Sequence, residues 1–302
     1  QIPQAHLPYP PGGKPADGNR QADRFGRPSG RPEADYRDGP RHPRGIPPAE
    51  RLPCGRYVRP PGKANADDES LEIIKDYSAK ILESLDLFYK ADIAGSNNII
   101  ADLVKDIGKN KFAVNSVNNS DAFSGIKTNE LQFFRSRLGS PNQSFTAKDM
   151  IHLPNSMRSK SGNYRFSIPG NPSLYLSNSS YGCWIEMGCP AEIDFNVSPV
   201  LLEGNQRIFN LAISLRDFRC LNEFEEKRVH CWLKLYLLTM ATCYVIKEEN
   251  RTFKSEYIIS QSLMMACKKM EYDGIAYYSR RVDNEVFALC AINLVLFVNY
   301  NG

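Results

Sequence analysis

The sequence has little of what metal sites and nucleophilic triads usually require. Its 302 residues include only four histidines, and none of its eight cysteines forms a Cys-x-x-Cys pair. We therefore expect no zinc site and no metal of any other kind. His152 lies in a short apolar segment without an evident partner, so we expect it to be packed or hydrogen-bonded and not catalytic. The cysteines are expected to be reduced thiols, because a domain of this length does not need disulfides.

The sequence also lacks an apolar leader, and only one long apolar run stands out. Because no signal-peptide pattern opens the chain, we expect a cytoplasmic protein. The apolar run covers residues 229–246 and contains His230 and Lys234. A membrane span is the alternative, but a buried core helix is favoured, since the flanks lack the charge asymmetry of membrane proteins. We expect no membrane contact.

Residues 1–66 differ in composition from everything that follows. They hold 14 of the 20 prolines, and their twelve basic residues outnumber six acidic ones. The remaining chain carries 26 basic and 28 acidic residues, so the net charge of +4 comes from this tail. Such a segment buries too little apolar surface to offset its ordering entropy, and we predict a disordered tail. It is either a passive tail, a sequence foreign to the protein, or a weak contact for nucleic acid or an acidic surface.

Residues 67–128 predict a helical extension that packs on the rest of the protein. Apolar residues recur at helical spacing over 70–91, and a second helix is predicted over 97–107. Asn97 or Asn98 would cap the second helix and Gly108 would end it. The polar residues 115–128 predict a loop or a short third helix.

Residues 129–302 predict an α+β domain with a mixed β-sheet flanked by helices. The first strand is expected over 131–137 and further strands over 173–177, 200–215, 275–278 and 286–298. An amphipathic helix is expected over 255–270. Alternation of strands and helices without a regular βαβ repeat is typical of this fold class.

The stretch from Asn163 to Glu186 concentrates side chains that can carry chemistry. Arg165 precedes a Pro-Gly-Asn-Pro sequence over 169–172, which predicts a tight turn. Tyr175 lies at the centre of a predicted strand, and Glu186 lies on the helix that follows, whose N-cap is expected among residues 178–180. A turn, a strand and a helix in this order can bring the three side chains to one cleft.

Two further arginines lie upstream on the first predicted strand. Arg135 and Arg137 are two residues apart, so both are expected on the same face. Two guanidinium groups at that spacing suit a diphosphate, which accepts bidentate hydrogen bonds. The alternative for either one is a surface ion pair with an acidic neighbour.

These segments resemble the RES domain, a family named for an arginine, a glutamate and a serine. The resemblance rests on the pattern RFS-x-PG-x-P-x-LYL-x-x-S, the helical Glu186, the strand FFRSR over 133–137 and the segment DGIAYYSRR over 273–281, with Ser279 in the serine position. It covers roughly residues 131–300. It implies a fold like that of ADP-ribosyltransferases, and cleavage of the nicotinamide glycosidic bond of NAD by hydrolysis or by phosphorolysis. NAD, and inorganic phosphate for phosphorolysis, would be substrates, and no resident cofactor is implied.

The resemblance also implies roles for individual residues. Glu186, Arg135 and Ser279 would be catalytic: Glu186 stabilises an oxocarbenium-like state, and Ser279 contacts substrate or positions Glu186. Arg165 and Tyr175 would bind substrate, with the Tyr175 ring against the nicotinamide. Arg137 is expected to bind substrate as well, because it shares a strand face with Arg135. Arg135 is preferred to Arg137 for the catalytic position because it directly follows the aromatic pair. Toxins of this family are blocked by helix-turn-helix antitoxins, so such a partner is expected, while the oligomeric state stays open. Two other classes remain: transfer of ADP-ribose to a macromolecule, and a non-catalytic protein that binds nucleotides or a partner.

Overall fold

The computed structural model describes residues 68–110, 113–116, 132–202, 206–213, 226–246, 248, 250–282 and 290–300. The predictions for the tail over 1–66 and for the polar segment from residue 117 onward lie outside the described residues. So does the beginning of the last predicted strand, over 286–289.

The described part of the chain contains five α-helices and seven strands. The helices are α1 (Asp68–Tyr89), α2 (Ile93–Ile107), α3 (Ser180–Glu186), α4 (Glu226–Thr242) and α5 (Ile258–Lys269). The strands are β1 (Val114–Ser116), β2 (Gln132–Leu138), β3 (Ser173–Ser177), β4 (Phe195–Leu201), β5 (Arg207–Asn210), β6 (Gly274–Tyr278) and β7 (Ile292–Phe297).

The seven strands form one mixed sheet in the order β1-β5-β6-β7-β3-β2-β4. Only β5 and β6 pair in parallel, and the other neighbours are antiparallel. Tyr277 on β6 lies opposite Asn293 on β7, and Tyr175 on β3 lies opposite Val295 on β7. The predicted α+β class, with a mixed sheet flanked by helices, is confirmed.

The main core lies between the sheet and a layer of helices. Leu103 and Val104 of α2, Leu235 of α4 and Leu263 of α5 are almost fully buried in one cluster with Val295 of β7. Each such side chain stabilises the fold by roughly 1.5–3 kcal/mol relative to an exposed one. The helices before residue 110 therefore share their core with the sheet that positions the site.

The apolar run over 229–246 forms a core helix, as predicted. Cys231, Trp232 and Leu238 of α4 are buried in the main core. The helix ends at Thr242, four residues earlier than the apolar pattern indicates. Among the described helices, none combines the length and the hydropathy that crossing a membrane requires.

The predicted start of the second helix is wrong. The helix begins at Ile93, and Asp92 caps it by accepting a hydrogen bond from the Gly95 amide at 2.8 Å. Asn97 lies inside the helix because the earlier aspartate already satisfies a free amide of the first turn. The predicted end at Gly108 is confirmed.

Candidate active site

A cavity of about 740 Å³ opens beside strands β2, β3, β6 and β7. Five of the six predicted site residues line it: Arg135, Arg137, Arg165, Tyr175 and Glu186. Its volume lies within the range of roughly 300–1,000 Å³ that is usual for small-molecule sites. The fold therefore brings together side chains that are up to fifty-one positions apart in the sequence.

Glu186 enters the cavity from the last residue of α3. The helix is held at its start by Ser179, whose hydroxyl accepts a hydrogen bond from the Gly182 amide at 2.9 Å, so the predicted N-cap is confirmed. Asn293 Nδ2 donates to Glu186 Oε1 at 2.6 Å, and Arg281 Nε lies 3.8 Å from Oε2. The carboxylate is thus oriented by an amide and flanked by a guanidinium, while 35% of the side chain stays exposed.

Arg165 projects from a tight turn whose next residue is anchored in the core. Tyr164 and Ser167 exchange backbone hydrogen bonds at 3.2 and 3.3 Å, and Phe166 between them is fully buried. The Arg165 guanidinium lies 5.9 Å from the centre of the Tyr277 ring, and Nη2 donates to the Tyr244 carbonyl at 3.4 Å. Burial of Phe166 therefore fixes the direction in which the charged neighbour points.

The turn that follows Arg165 has the predicted form. The Asn171 amide donates to the Ile168 carbonyl at 3.0 Å, and Gly170 has a φ of +80°. A positive φ at this third position, after Pro169, defines a type II turn, where a residue with a Cβ would be strained. This turn leads the chain directly into β3.

Tyr175 is a wall of the cavity whose hydroxyl is already engaged. The hydroxyl accepts a hydrogen bond from the Phe166 amide at 3.2 Å and shares another with Ser167 Oγ at 3.1 Å. Burial raises the pKa of Tyr175, so the hydroxyl stays neutral. The ring is half-buried and faces the cavity, while the hydroxyl supports the turn that carries Arg165.

Arg135 and Arg137 extend from β2 into the same cavity. Arg135 Nη1 donates to the Tyr175 carbonyl at 2.9 Å, and Arg137 Nη2 donates to the Ile151 carbonyl at 3.3 Å. The Nε atom of each is buried and has no hydrogen-bond partner among the described residues. Burial and the neighbouring charge of Arg137 lower the pKa of Arg135. Two adjacent guanidinium groups with unused donors suit an anionic ligand.

Ser279 lies beside the cavity and does not line it. It is 2% exposed, its amide donates to the Ala291 carbonyl at 2.8 Å, and its hydroxyl accepts a hydrogen bond from the Arg281 amide at 3.2 Å. Ser279 thus differs from the other five predicted residues in being buried outside the cavity lining. Its backbone hydrogen bond to Ala291, just beyond the end of β6, holds it there. What it contacts is the turn that bears Arg280 and Arg281, both of which reach the cavity.

Among the residues at or beside the site that were not predicted, three contact predicted residues or the turn that carries Arg165, in addition to Arg281. Asn293 orients Glu186, Tyr277 lies under Arg165, and Gln261 of α5 donates to the Tyr164 and Ser167 carbonyls at 3.0 and 3.2 Å. The sequence does contain a signal for Asn293, because it is the single polar residue in the apolar segment over 291–298. Gln261 carries no comparable signal, because it is an ordinary polar residue of an amphipathic helix.

His152 also lines the cavity, but its ring is engaged as predicted. Its Nδ1 lies 3.0 Å from the Leu153 carbonyl, and the ring packs edge-on against Tyr300 with 5.6 Å between ring centres. The prediction of a packed, hydrogen-bonded histidine is confirmed.

The chain is similar to a protein of Bacillus subtilis (strain 168) that bears the name "Putative toxin YopC". The two are 30% identical over 190 residues, which cover 56% of this chain and 40% of the relative. The chain thus spans about two fifths of the length of that protein. No family model matches the chain, and no solved structure does. The relative's name fits a toxin family and specifies no reaction.

Proposed function

We propose that the cavity binds NAD and cleaves the bond between nicotinamide and ribose. The observation that carries this proposal is the placement of Glu186. Its carboxylate is fixed by Asn293 in the same cavity as the guanidinium groups of Arg135, Arg165 and Arg281. A fixed carboxylate beside phosphate-binding groups suits a reaction in which positive charge develops on a sugar attached to a phosphate.

The reaction breaks the bond between C1′ of the ribose and the ring nitrogen of nicotinamide. The bonding electron pair passes to that nitrogen, which loses its positive charge, and the ribose becomes oxocarbenium-like. Glu186 stabilises this state electrostatically. Water then attacks C1′ and gives ADP-ribose and a proton. Alternatively, inorganic phosphate attacks the same carbon, which is numbered 1″ in ADP-ribose, and gives the 1″-phosphate of ADP-ribose.

The remaining side chains bind and position the substrate. Arg135, Arg137 and Arg165 bind the phosphate and ribose groups, and the Tyr175 ring packs against the nicotinamide. Ser279 acts through the turn that carries Arg281, which flanks Glu186 at 3.8 Å. Two supports converge on these roles: the resemblance to RES domains and the shared cavity.

A toxin role is part of the proposal. Its support is the similarity to the Bacillus subtilis protein, which bears the name "Putative toxin YopC". Loss of NAD would be the toxic effect, and a helix-turn-helix antitoxin that covers the cavity would be the partner. Both statements extend the RES resemblance to this chain.

The decisive experiment follows nicotinamide release from NAD by the purified chain, with water alone and with inorganic phosphate. Glu186→Gln keeps the shape of the side chain and removes its charge, so we expect release to fall by about a thousandfold or more. Glu192→Gln, an exposed position on the segment after α3, is the matched control and should keep full activity.

Unchanged turnover in Glu186→Gln would refute the assignment of the carboxylate. If the wild-type chain releases no nicotinamide alone but does so with a macromolecule that becomes labelled, the reaction is ADP-ribosyl transfer. If NAD binds without any reaction, the protein is a nucleotide-binding protein.

A further inference from the structure

The charge of the cavity exceeds what a single diphosphate group requires. Among the described lining residues are six cationic side chains, namely Arg135, Arg137, Lys160, Arg165, Arg280 and Arg281. Glu186 is the one carboxylate in this described lining. The excess is five positive charges, whereas NAD carries a diphosphate and a positively charged nicotinamide ring.

Most of these guanidinium groups are held by backbone carbonyls. Arg135, Arg137, Arg165 and Arg280 donate to the carbonyl oxygens of Tyr175, Ile151, Tyr244 and Cys243, respectively. A carbonyl orients a guanidinium without neutralising its formal charge. Of the six cations, only Arg281 lies within 4 Å of a carboxylate among the described residues. The positive charge thus remains available to a ligand.

Contacts order these groups along the cavity. Glu186 is bound to Asn293 of β7, and Arg165 lies over Tyr277, which is paired with Asn293. Arg135 and Arg137 lie on β2, which is separated from β7 by β3. Phe134 of β2 pairs with Ser177 of β3, and Ser177 pairs with Asn293 of β7, so Arg137 lies three residues further along the strand direction than the level of Asn293. Three strand residues span about 10 Å. The cavity therefore has a Glu186 end and, around Arg137, a β2 end.

The β2 end is itself a cationic site. Arg137 reaches farther along the strand than Arg135 and contacts the Ile151 carbonyl, beside His152 of the cavity wall. Its buried Nε has no partner among the described residues, and Lys160 lines the same cavity. Asp149 accepts two hydrogen bonds from Thr146, which lower its pKa, and the charge of Arg137 lowers it a little further. Among the described residues, no ion pair within 4 Å joins Asp149 to Arg137.

We propose that the cavity prefers a dinucleotide with an additional phosphate on the adenosine ribose, that is, the 2′-phosphorylated form of NAD. The inference rests on the proposed function, because it places the nicotinamide ribose at Glu186. Arg165 and Arg281 then lie near the diphosphate, and the adenosine half extends toward β2. Arg137 binds the 2′-phosphate there, as arginines do in sites selective for this group.

Calorimetry with two unreactive ligands tests this preference. 2′-Phospho-ADP-ribose and ADP-ribose differ only in the extra phosphate, and neither has a nicotinamide bond to cleave. We expect the phosphorylated ligand to bind wild type about tenfold more tightly, as a bidentate arginine contact would provide. Arg137→Gln should reduce this ratio to about one. Lys148→Gln removes the same charge from an exposed position outside the cavity and should keep the ratio.

Equal affinity of wild type for the two ligands would overturn the inference, and so would absence of binding by either ligand. A ratio that Arg137→Gln leaves unchanged would overturn it too. Because the readout is binding, a failure of the proposed chemistry is recognised separately by the nicotinamide assay. If the chain turns over NAD but binds both ligands with equal affinity, only the preference for the 2′-phosphate is refuted and the proposed reaction stands.

Discussion

At the residue scale, the position of the Glu186 carboxylate depends on a side chain more than a hundred residues away. Asn293 is 3% exposed and donates to Glu186 Oε1 at 2.6 Å. Without that donor the carboxylate is free to turn toward Arg281, which lies 3.8 Å from its other oxygen. Asn293 is therefore a positioning residue for the proposed reaction.

We expect Asn293→Ala to lower kcat for nicotinamide release by about a hundredfold, because a small displacement of a catalytic group has effects of that size. The KM for NAD should change much less, since Asn293 positions the carboxylate and the arginines bind the phosphates. Steady-state kinetics of both parameters checks this. Asn98→Ala, at an exposed position of α2, is the control and should match wild type. A KM effect without a kcat effect would show that Asn293 binds substrate instead.

At the element scale, a polar network joins three helices beside the main core. Asp106 of α2 accepts hydrogen bonds from Tyr77 of α1 and, at 2.7 Å, from Lys234 of α4. Burial opposes ionisation of Asp106, but the hydrogen bonds from Lys234 and Tyr77 outweigh it and lower its pKa from 3.8 to about 2. Burial and the same aspartate raise the pKa of Tyr77. The network thus ties the two N-terminal helices to α4.

The lowered pKa of Asp106 predicts a stability that depends on pH. A carboxylate whose folded pKa lies below its unfolded value contributes stability above the unfolded value, and this contribution is lost as pH falls from about 4 to about 2. Asp106→Asn should lower the free energy of unfolding by about 1 kcal/mol at neutral pH, a modest value because the side chain is 38% exposed. Urea unfolding across pH should show the two proteins converging in acid.

Asp86→Asn provides the comparison for that experiment. Asp86 pairs with Lys90 on the surface of α1 and is 59% exposed, so its loss should change stability little at any pH. A difference between wild type and Asp106→Asn that stays constant down to the lowest pH would contradict the proposed linkage.

At the scale of the whole molecule, the N-terminal helices belong to the core that supports the site. Ile100, Leu103 and Ile107 of α2 are almost fully buried with Leu235 of α4 and Leu263 of α5. The sequence predicts a boundary at 128/129 between a helical extension and a catalytic domain. In the described residues, side chains from both sides of this boundary pack in one hydrophobic core.

We expect a chain that begins at residue 129 to lose cooperative folding, because the apolar faces of α4 and α5 would be exposed to water. A chain that begins at residue 67 keeps α1 and α2 and serves as the control. Thermal unfolding followed by circular dichroism compares them. A sharp transition of the shorter chain at the same temperature as the control would mean that the helices are dispensable.

Much of the site could be read from sequence because its signals are local. The turn at 169–172, the strand of Tyr175 and the cap at Ser179 each depend on neighbouring residues, and together they direct Arg165, Tyr175 and Glu186 to one side of the fold. Ser279 shows the limit of this reasoning. Its neighbours in sequence predict a strand end, but pairing with Ala291 decides that its side chain stays within the fold.

The sequence by itself determined the α+β class, the core helix after residue 225 and five of the side chains that line the cavity, since periodicity and turn chemistry act over a few residues. Tertiary structure alone decided that Asn293 holds Glu186, that Gln261 clamps the turn of Arg165 and that the helices before residue 110 complete the core. The hydrogen bonds of Asn293 and Gln261 join residues that are 94 to 107 positions apart in the sequence, and the shared core joins the helix layer to the sheet. Their geometry is set by strand order and helix packing, which no local pattern specifies.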